Sequence, residues 1–409
     1  MNKFLKEFKD RGFFYQCTNE DELSKLLDNE KIKGYIGFDC TAESLHVGSL
    51  LQIMCLRLLQ KHGHRPIVLL GGGTTRIGDP SGKDKTRKIL SEKDIEKNIK
   101  NIEKILKNFL DIKDLKTKPI FLNNYSWLKK LNYITFLRDI GKHFTINKML
   151  SFDSVKTRLE REQSLSYMEF NYMILQAYDF LELNKKENCL LQIGGSDQWG
   201  NIVNGVELIK RYSNKHVFGL TTPLITLASG AKMGKTETGA VWLDKKYLSP
   251  YDYWQFWRNI DDSDVLKFMK IFTDLRVDEI EKIKDKNINE LKIILANKAT
   301  SMLHGEKEAK ICEKTAKETF SENSLGSAIP SILLNKKNLD NNLNIIDLII
   351  LSKLENSRSE IRRLIKSNGI KINNEIVTDD KFIITSKLFK DNFLKLSLGK
   401  KRHLKVKIN

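Results

Sequence analysis

The chain has 409 residues, 40% hydrophobic and 9% aromatic, with a formal net charge of +18. This length predicts two or three domains, and the apolar content excludes wholesale disorder. No apolar run approaches membrane-spanning length, and the opening MNKFLKEFKDRGFF is charged throughout, without a signal core; a cytoplasmic protein is expected.

Taken in chain order, residues 1–235 alternate short apolar strands, glycine turns and helices. A strand at Gly34–Phe38 precedes a helix from about Ser44 to His62, and a second at Ile67–Leu70 runs into GGGTTRIGDPSG. Ser91 and Asp94 open a helix in which Ile95, Ile99, Ile102, Leu106 and Phe109 recur at helical spacing. A strand at Cys189–Ile193 leads to GGSDQWGN and a helix through Lys210. Strands alternating with helices predict a Rossmann-like α/β domain with a parallel sheet, whose ligands bind beyond the carboxyl ends of the strands. All three glycine turns fall there. Residues 236–330 read as helical, with YDYWQFWRNI supplying core aromatics rather than base-stacking platforms. Residues 331–344 read as a polar linker. Residues 345–409 read as a small α+β module.

The cysteines Cys17, Cys40, Cys55, Cys189 and Cys312 are scattered and never form a CxxC pair. That argues against a disulfide framework and against zinc, and for small buried hydrophobes in a reducing compartment. The positive charge suggests a polyanionic partner, although a lysine-rich composition alone would produce it. Its distribution decides: residues 346–409 hold 15 basic and 7 acidic residues, a net of +8 in about a sixth of the chain. Within that module Arg358, Arg362, Arg363 and Lys366 follow a Ser357–Glu360 capping box, and planar arginine suits phosphate. GIKINNEIV reads as a hairpin turning at Asn373–Asn374.

Four motifs carry chemistry. Leu45-His46-Val47-Gly48-Ser49 follows a strand and opens a helix, where free N–H groups favour phosphate and Gly48 permits close approach. His46 and Thr41 are candidate donors to phosphate oxygens; an ordinary helix cap with a surface histidine would read the same. Lys232 and Lys235, in AKMGKT, are suited to following moving phosphate charge from a closing loop, or to an ordinary solvated turn. Tyr172, Gln176 and Asp179 share one polar face of an otherwise apolar helix, at i, i+4 and i+7. Unpaired burial would cost about 1–3 kcal/mol each, so they face a ligand, water or one another. Gly195, Asp197 and Gln198 lie in QIGGSDQWGN, where paired glycines admit a sugar or phosphate.

In this order the motifs resemble bacterial-type tyrosyl-tRNA synthetases, class I aminoacyl-tRNA synthetases, over essentially the whole length. YIGFDCTAESLHVGS, NNYSW, FLRDIGKHF, LQAYDF, QIGGSDQWGN and AKMGKT carry the resemblance, and the C-terminal module resembles an S4-type RNA-binding domain. The resemblance implies that Tyr35 and Asp179 hydrogen-bond the phenolic hydroxyl of L-tyrosine. It implies that Tyr172, Gln176 and Asp79 bind its ammonium group, supported by Asn124. Gly37, Asp39, Gly48, Ser49, Gly195, Asp197 and Gln198 would surround the nucleotide. Thr41 and His46 would stabilise the leaving pyrophosphate, and Lys83, Lys232 and Lys235 would clamp phosphates. ATP with Mg2+ as co-substrate, tRNA(Tyr) as partner and a homodimer are implied, with no zinc, organic cofactor or membrane. Ser49 departs from the second histidine of the family's signature, and Gly234 from the serine general in class I enzymes. Two other readings are a tryptophanyl enzyme and a catalytically silent, synthetase-derived RNA-binding scaffold. The Tyr35/Asp179 pair argues against the first; retention of His46 and the lysine loop argues against the second.

Overall fold

The computed structural model describes residues 2–79, 90–230, 233–236, 239–320, 329–335, 339, 342–389, 393–399 and 402–408, the side chains of 153, 154, 235, 236, 319 and 320 excepted. The chain divides into two compact units, one of residues 1–235, 240–244 and 261–291, the other of 236–239, 245–260 and 292–409. No helix among the described residues is long and apolar enough to cross a membrane.

In the first unit, β1 (Gln16–Cys17), β2 (Lys33–Phe38), β3 (Arg65–Leu70), β4 (Ile120–Asn123), β5 (Cys189–Gly195) and β6 (Phe218–Thr222) form one sheet in the order β1-β6-β5-β2-β3-β4. All pairings are parallel except that of β1, an antiparallel edge strand. This is the expected parallel α/β architecture. Ile67, Val68, Leu69 and Leu70 of β3 are all buried, as the apolar run of a parallel strand requires. The order reverses between β2 and β5, which makes their carboxyl ends the topological switch point.

The helix after β2 starts later than its sequence suggests. Val47–Ser49 makes a 3-10 turn, and the α-helix runs from Leu50 to Lys61. The cap is His46, whose side chain accepts from the Gly48 N–H. The Glu92–Phe109 helix is capped by Ser91, which accepts from the Asp94 N–H, and buries Ile95, Ile102, Leu106 and Phe109. Residues 261–291 fold with this unit although they lie beyond the lysine loop. Arg11, 4% exposed, reaches them by donating to the carbonyls of Lys270, Thr273 and Leu275 at 2.8–3.0 Å.

Short strands β7 (Lys235–Thr236) and β8 (Gly239–Ala240) precede the helices of the second unit. In Pro250–Arg258 the rings of Tyr251, Tyr253, Trp254 and Trp257 are buried, in keeping with the core role expected of them. The C-terminal module contains β9 (Ser331–Leu334), β10 (Ile370–Ile372), β11 (Glu375–Ile376), β12 (Phe393–Leu398) and β13 (Arg402–Ile408), in the order β11-β10-β12-β13-β9. Strand β9, read from sequence as linker, pairs in parallel with β13 and buries Leu334. Helices Ile345–Leu351 and Arg358–Lys366 seal one sheet face with Ile345, Ile349, Ile361 and Ile365. The β10–β11 hairpin turns at Asn373 and Asn374, whose φ values of 49° and 74° are the left-handed conformations a tight hairpin needs.

Candidate active site

The loops at the carboxyl ends of β2, β3 and β5 carry the three glycine-rich turns. Strand β2 delivers Tyr35 into the core, 1% exposed and tilted against Phe180 at 5.2 Å. Gly37, two residues on, is exposed, and a Cβ there would meet nothing within 4 Å.

The Tyr172–Glu187 helix brings its polar face to this strand. Asp179 is 2% exposed. Its Oδ1 accepts from Trp127 Nε1 at 2.7 Å and its Oδ2 from Asn124 Nδ2 at 2.8 Å. Burial pushes its pKa up to about 7, against the pull of those two hydrogen bonds, with Glu182 and Asp39 adding to the rise. Asn124 is fully engaged: Nδ2 also donates to Thr74 Oγ1 at 3.0 Å, and Oδ1 accepts from the Gly73 N–H at 2.7 Å. The buried Tyr35 hydroxyl, by contrast, has no hydrogen-bond partner among the described residues. Its pKa is raised well above the ordinary phenol by burial, then by the charge of Asp179. A carboxylate and an unpartnered phenol buried side by side form a recognition site for a group that both donates and accepts, such as a second phenol.

A chain of amides extends from there. Asn201 Nδ2 donates to Gln176 Oε1 at 2.9 Å and to Gln198 Oε1 at 3.2 Å; Gln198 Nε2 donates to Asp79 Oδ2 at 2.9 Å. The Tyr172 hydroxyl lies 3.4 Å from Asp39 Oδ1. A side chain at Gly195 would collide with the Asp197 carboxylate. The structure thus gathers Tyr35, Asp39, Asp79, Asn124, Tyr172, Gln176, Asp179, Gln198 and, around them, Gly37, Gly195 and Asp197. Trp127 and Asn201 belong to the same network but were not singled out by sequence; each stood inside a quoted motif, NNYSW and GGSDQWGN, whose other members drew attention.

The phosphate-side motifs also meet. His46 Nδ1 accepts from the Gly48 N–H at 3.0 Å, so the neutral ring carries its proton on Nε2. Leu45–Val47 pairs with Val241–Leu243 through Val47 N–H to Val241 O and Leu243 N–H to Leu45 O, both 2.9 Å. The Val241 N–H in turn reaches Gly234 O at 3.1 Å. Gly234 has φ +92°, and a Cβ on it would stand 2.7 Å from Gly48 N and 2.8 Å from His46 Nδ1. Both facts demand glycine in place of serine. Thr41 and Gly48 are exposed, and Ser49 is half-buried without a side-chain capping bond. Lys83, Lys232 and the Lys235 side chain lie outside the described residues.

In the C-terminal module, the four basic residues of the Arg358–Lys366 helix are exposed. Arg358 pairs with Asp347 at 2.7 Å, Arg362 with Asp380 at 3.1 Å and Arg363 with Glu360 at 2.8 Å.

Residues 27–321 match the family model for class I tRNA synthetases (W and Y), and residues 322–406 that for the tyrosine–tRNA ligase SYY-like C-terminal domain. The chain belongs to the class I tRNA synthetase family of the tryptophan and tyrosine enzymes. Within it, the chain stands among the tyrosine–tRNA ligases. It is 82% identical to the tyrosine–tRNA ligase of Pelagibacter ubique (strain HTCC1062), with both chains covered completely. It is 55% identical to that of Wolbachia sp. subsp. Brugia malayi (strain TRS), covering 100% of this chain and 99% of the relative. A C-terminally truncated mitochondrial tyrosyl-tRNA synthetase from Aspergillus nidulans superposes with a TM-score of 0.70 at 30% identity, covering 78% of this chain and 94% of that one.

Proposed function

We propose that the side chains gathered at the β2/β5 switch point perform both half-reactions of this tyrosine–tRNA ligase. The observation that carries the assignment is the buried pair of Tyr35, unpartnered, and Asp179, held at both oxygens. Substrate tyrosine enters ring first. Its hydroxyl donates to Asp179 and accepts from Tyr35. Phenylalanine would leave both groups buried and unpaired, so the site rejects it without editing, a rule for which tyrosyl-tRNA synthetases are themselves the standard illustration. The ammonium group meets Tyr172, Gln176 and Asp79, with Asn124 supporting that side.

ATP lies along Gly37, Asp39, Gly48, Ser49, Gly195, Asp197 and Gln198. The tyrosine carboxylate attacks the α-phosphorus, and the bond to pyrophosphate breaks. Thr41 and the Nε2–H of His46 donate to the departing oxygens, and Lys83, Lys232 and Lys235 follow the charge. No protein nucleophile takes part; positioning and charge stabilisation do the work. The 3′-terminal hydroxyl of tRNA(Tyr) then attacks the adenylate carbonyl, and AMP leaves. Aminoacyl-tRNA synthetases use ATP generally with Mg2+. Magnesium bound to the ATP phosphates would neutralise part of their charge.

The C-terminal module holds the tRNA, with Arg358, Arg362, Arg363 and Lys366 on its helix among the contacts. A homodimer in the cytoplasm completes the reading. Tyr133, Ile134, Ile146, Leu159 and Tyr167, all within residues 133–167, are exposed large side chains that such a contact would bury. Light scattering reads the mass directly. Tyrosine-dependent ATP–pyrophosphate exchange tests the site; no exchange with tyrosine, or equal exchange with phenylalanine, overturns the assignment.

A further inference from the structure

The sheet of the C-terminal module has two unlike faces. Leu394, Leu396, Leu404, Val406, Ile370 and Ile372 fill one and are buried against the helices. The pairing register fixes what points the other way. Lys395 stands directly opposite Lys405, Phe393 opposite Lys407, and Lys371 opposite Ser397. Strands β9, β10, β12 and β13 contain no Asp or Glu at all. Lys371 and Lys407 are exposed, and Lys395 and Lys405 half-buried.

Like charges directly opposite on a sheet destabilise it. None of the four lysines makes an ion pair with a described residue. Lys405 lies over the Phe393 ring at 4.9 Å. Burial lowers the Lys395 pKa and neighbouring Lys371 lowers it further; burial and Lys407 act likewise on Lys405. The helix of the same module behaves differently, because Arg358, Arg362 and Arg363 are already matched to acids. A ligand phosphate meeting those arginines exchanges one ion pair for another, whereas a phosphate meeting the sheet relieves repulsion.

We propose that this outer sheet face, centred on Lys371, Lys395, Lys405 and Lys407, is a second surface of the module that binds the phosphate backbone of the tRNA substrate. The inference rests on the reading of the module as the RNA-facing part of the enzyme. Lysines on a sheet have no base-reading geometry, so the surface holds phosphates without selecting sequence.

The test is tRNA(Tyr) binding to the full-length enzyme, followed by fluorescence anisotropy from about 50 to 200 mM salt, a range over which phosphate contacts set the slope. The variant K371Q/K395Q/K405Q/K407Q is expected to bind at least about tenfold more weakly at low salt, with the log–log slope shallower by roughly 3, since each phosphate contact contributes about 0.7–0.9. Tyrosine-dependent pyrophosphate exchange, which requires no tRNA, stays at the wild-type level. Should the fourfold variant fail to fold, K371Q/K407Q, changed only at exposed positions, is expected to flatten the slope by roughly half as much. Lysine acetylation read by mass spectrometry provides an independent measure: bound tRNA is expected to protect all four side chains. Wild-type slope and affinity in the lysine variants, or undiminished acetylation in the complex, overturns the proposal. Removing residues 345–409 separates the two failures. If that truncation keeps full tRNA affinity, the RNA role of the whole module falls; if it loses affinity while the lysine variants do not, only this face falls.

Discussion

The proposed tyrosine pocket and the C-terminal sheet treat charge in opposite ways. In the pocket a single carboxylate, Asp179, is buried and held by two N–H donors at 2.7 and 2.8 Å. On the sheet, four lysines share one face, and none of them is ion-paired with an acid among the described residues. Burial makes each polar atom of the pocket count, so one missing hydroxyl on the wrong amino acid is felt in full. On the open face of the sheet the effect of the lysines would instead be a sum over several weak, salt-screened contacts. On these two proposals, the same chain would use scarcity of charge to discriminate and surplus of charge to hold.

Breaking the pocket should therefore have the largest effects. Asp179→Asn keeps the shape but turns an acceptor of two hydrogen bonds partly into a donor facing Asn124 and Trp127. Exchange measured as kcat/KM for tyrosine is expected to fall by about a thousandfold, roughly 4 kcal/mol, the scale of stranding a buried charged-group partner. A fall below tenfold would mean Asp179 does not meet the substrate hydroxyl. His46→Ala is expected to slow adenylate formation by about 10²–10³-fold, as for loss of one preorganised donor, with little change in KM for tyrosine. Single-turnover pyrophosphate release measures this, and an unchanged rate removes His46 from the chemistry. Gly234→Ser sharpens the same point. Its Cβ would press on Gly48 N and His46 Nδ1 at 2.7 and 2.8 Å, so adenylate formation is expected to drop about tenfold, on the scale of roughly 1–3 kcal/mol of backbone strain.

Smaller effects follow from pH. The folded pKa of Asp179, about 7, lies above the ordinary 3.8. The folded protein then binds more protons than the unfolded chain between these values, and this group's contribution to stability declines as pH rises through that window. Asp179→Asn should remove that component from the melting temperature measured against pH. Ser49→Ala is expected to raise KM for ATP only about two- to threefold, the scale of one weak exposed hydrogen bond.

Legibility in the sequence tracked the range of the interaction. Tyr172, Gln176 and Asp179 could be read together because a helix repeats itself at three to four residues, and the Asn373–Asn374 turn because its chemistry is local. Trp127 could not, since its bond to Asp179 spans 52 residues and nothing periodic connects them. The Arg358–Lys366 helix showed its charge but not its acids, as Asp347 and Asp380 come from elsewhere in the module. The helix starts late, at Leu50, because the 3-10 turn Val47–Ser49 stands before it; that turn is capped by His46, a role usually held by serine, threonine or asparagine.

The raised pKa of Asp179 has a calorimetric consequence. If tyrosine binds to Asp179 as proposed, it favours the carboxylate, and near neutrality part of the protein population is expected to release a proton when the substrate enters. The measured heat of tyrosine binding at pH 7 should then differ between buffers of different ionisation enthalpy, and the Asp179→Asn variant should lose that difference. A tyrosine pocket chosen for its selectivity would, in this way, also couple amino-acid capture to the acidity of its surroundings.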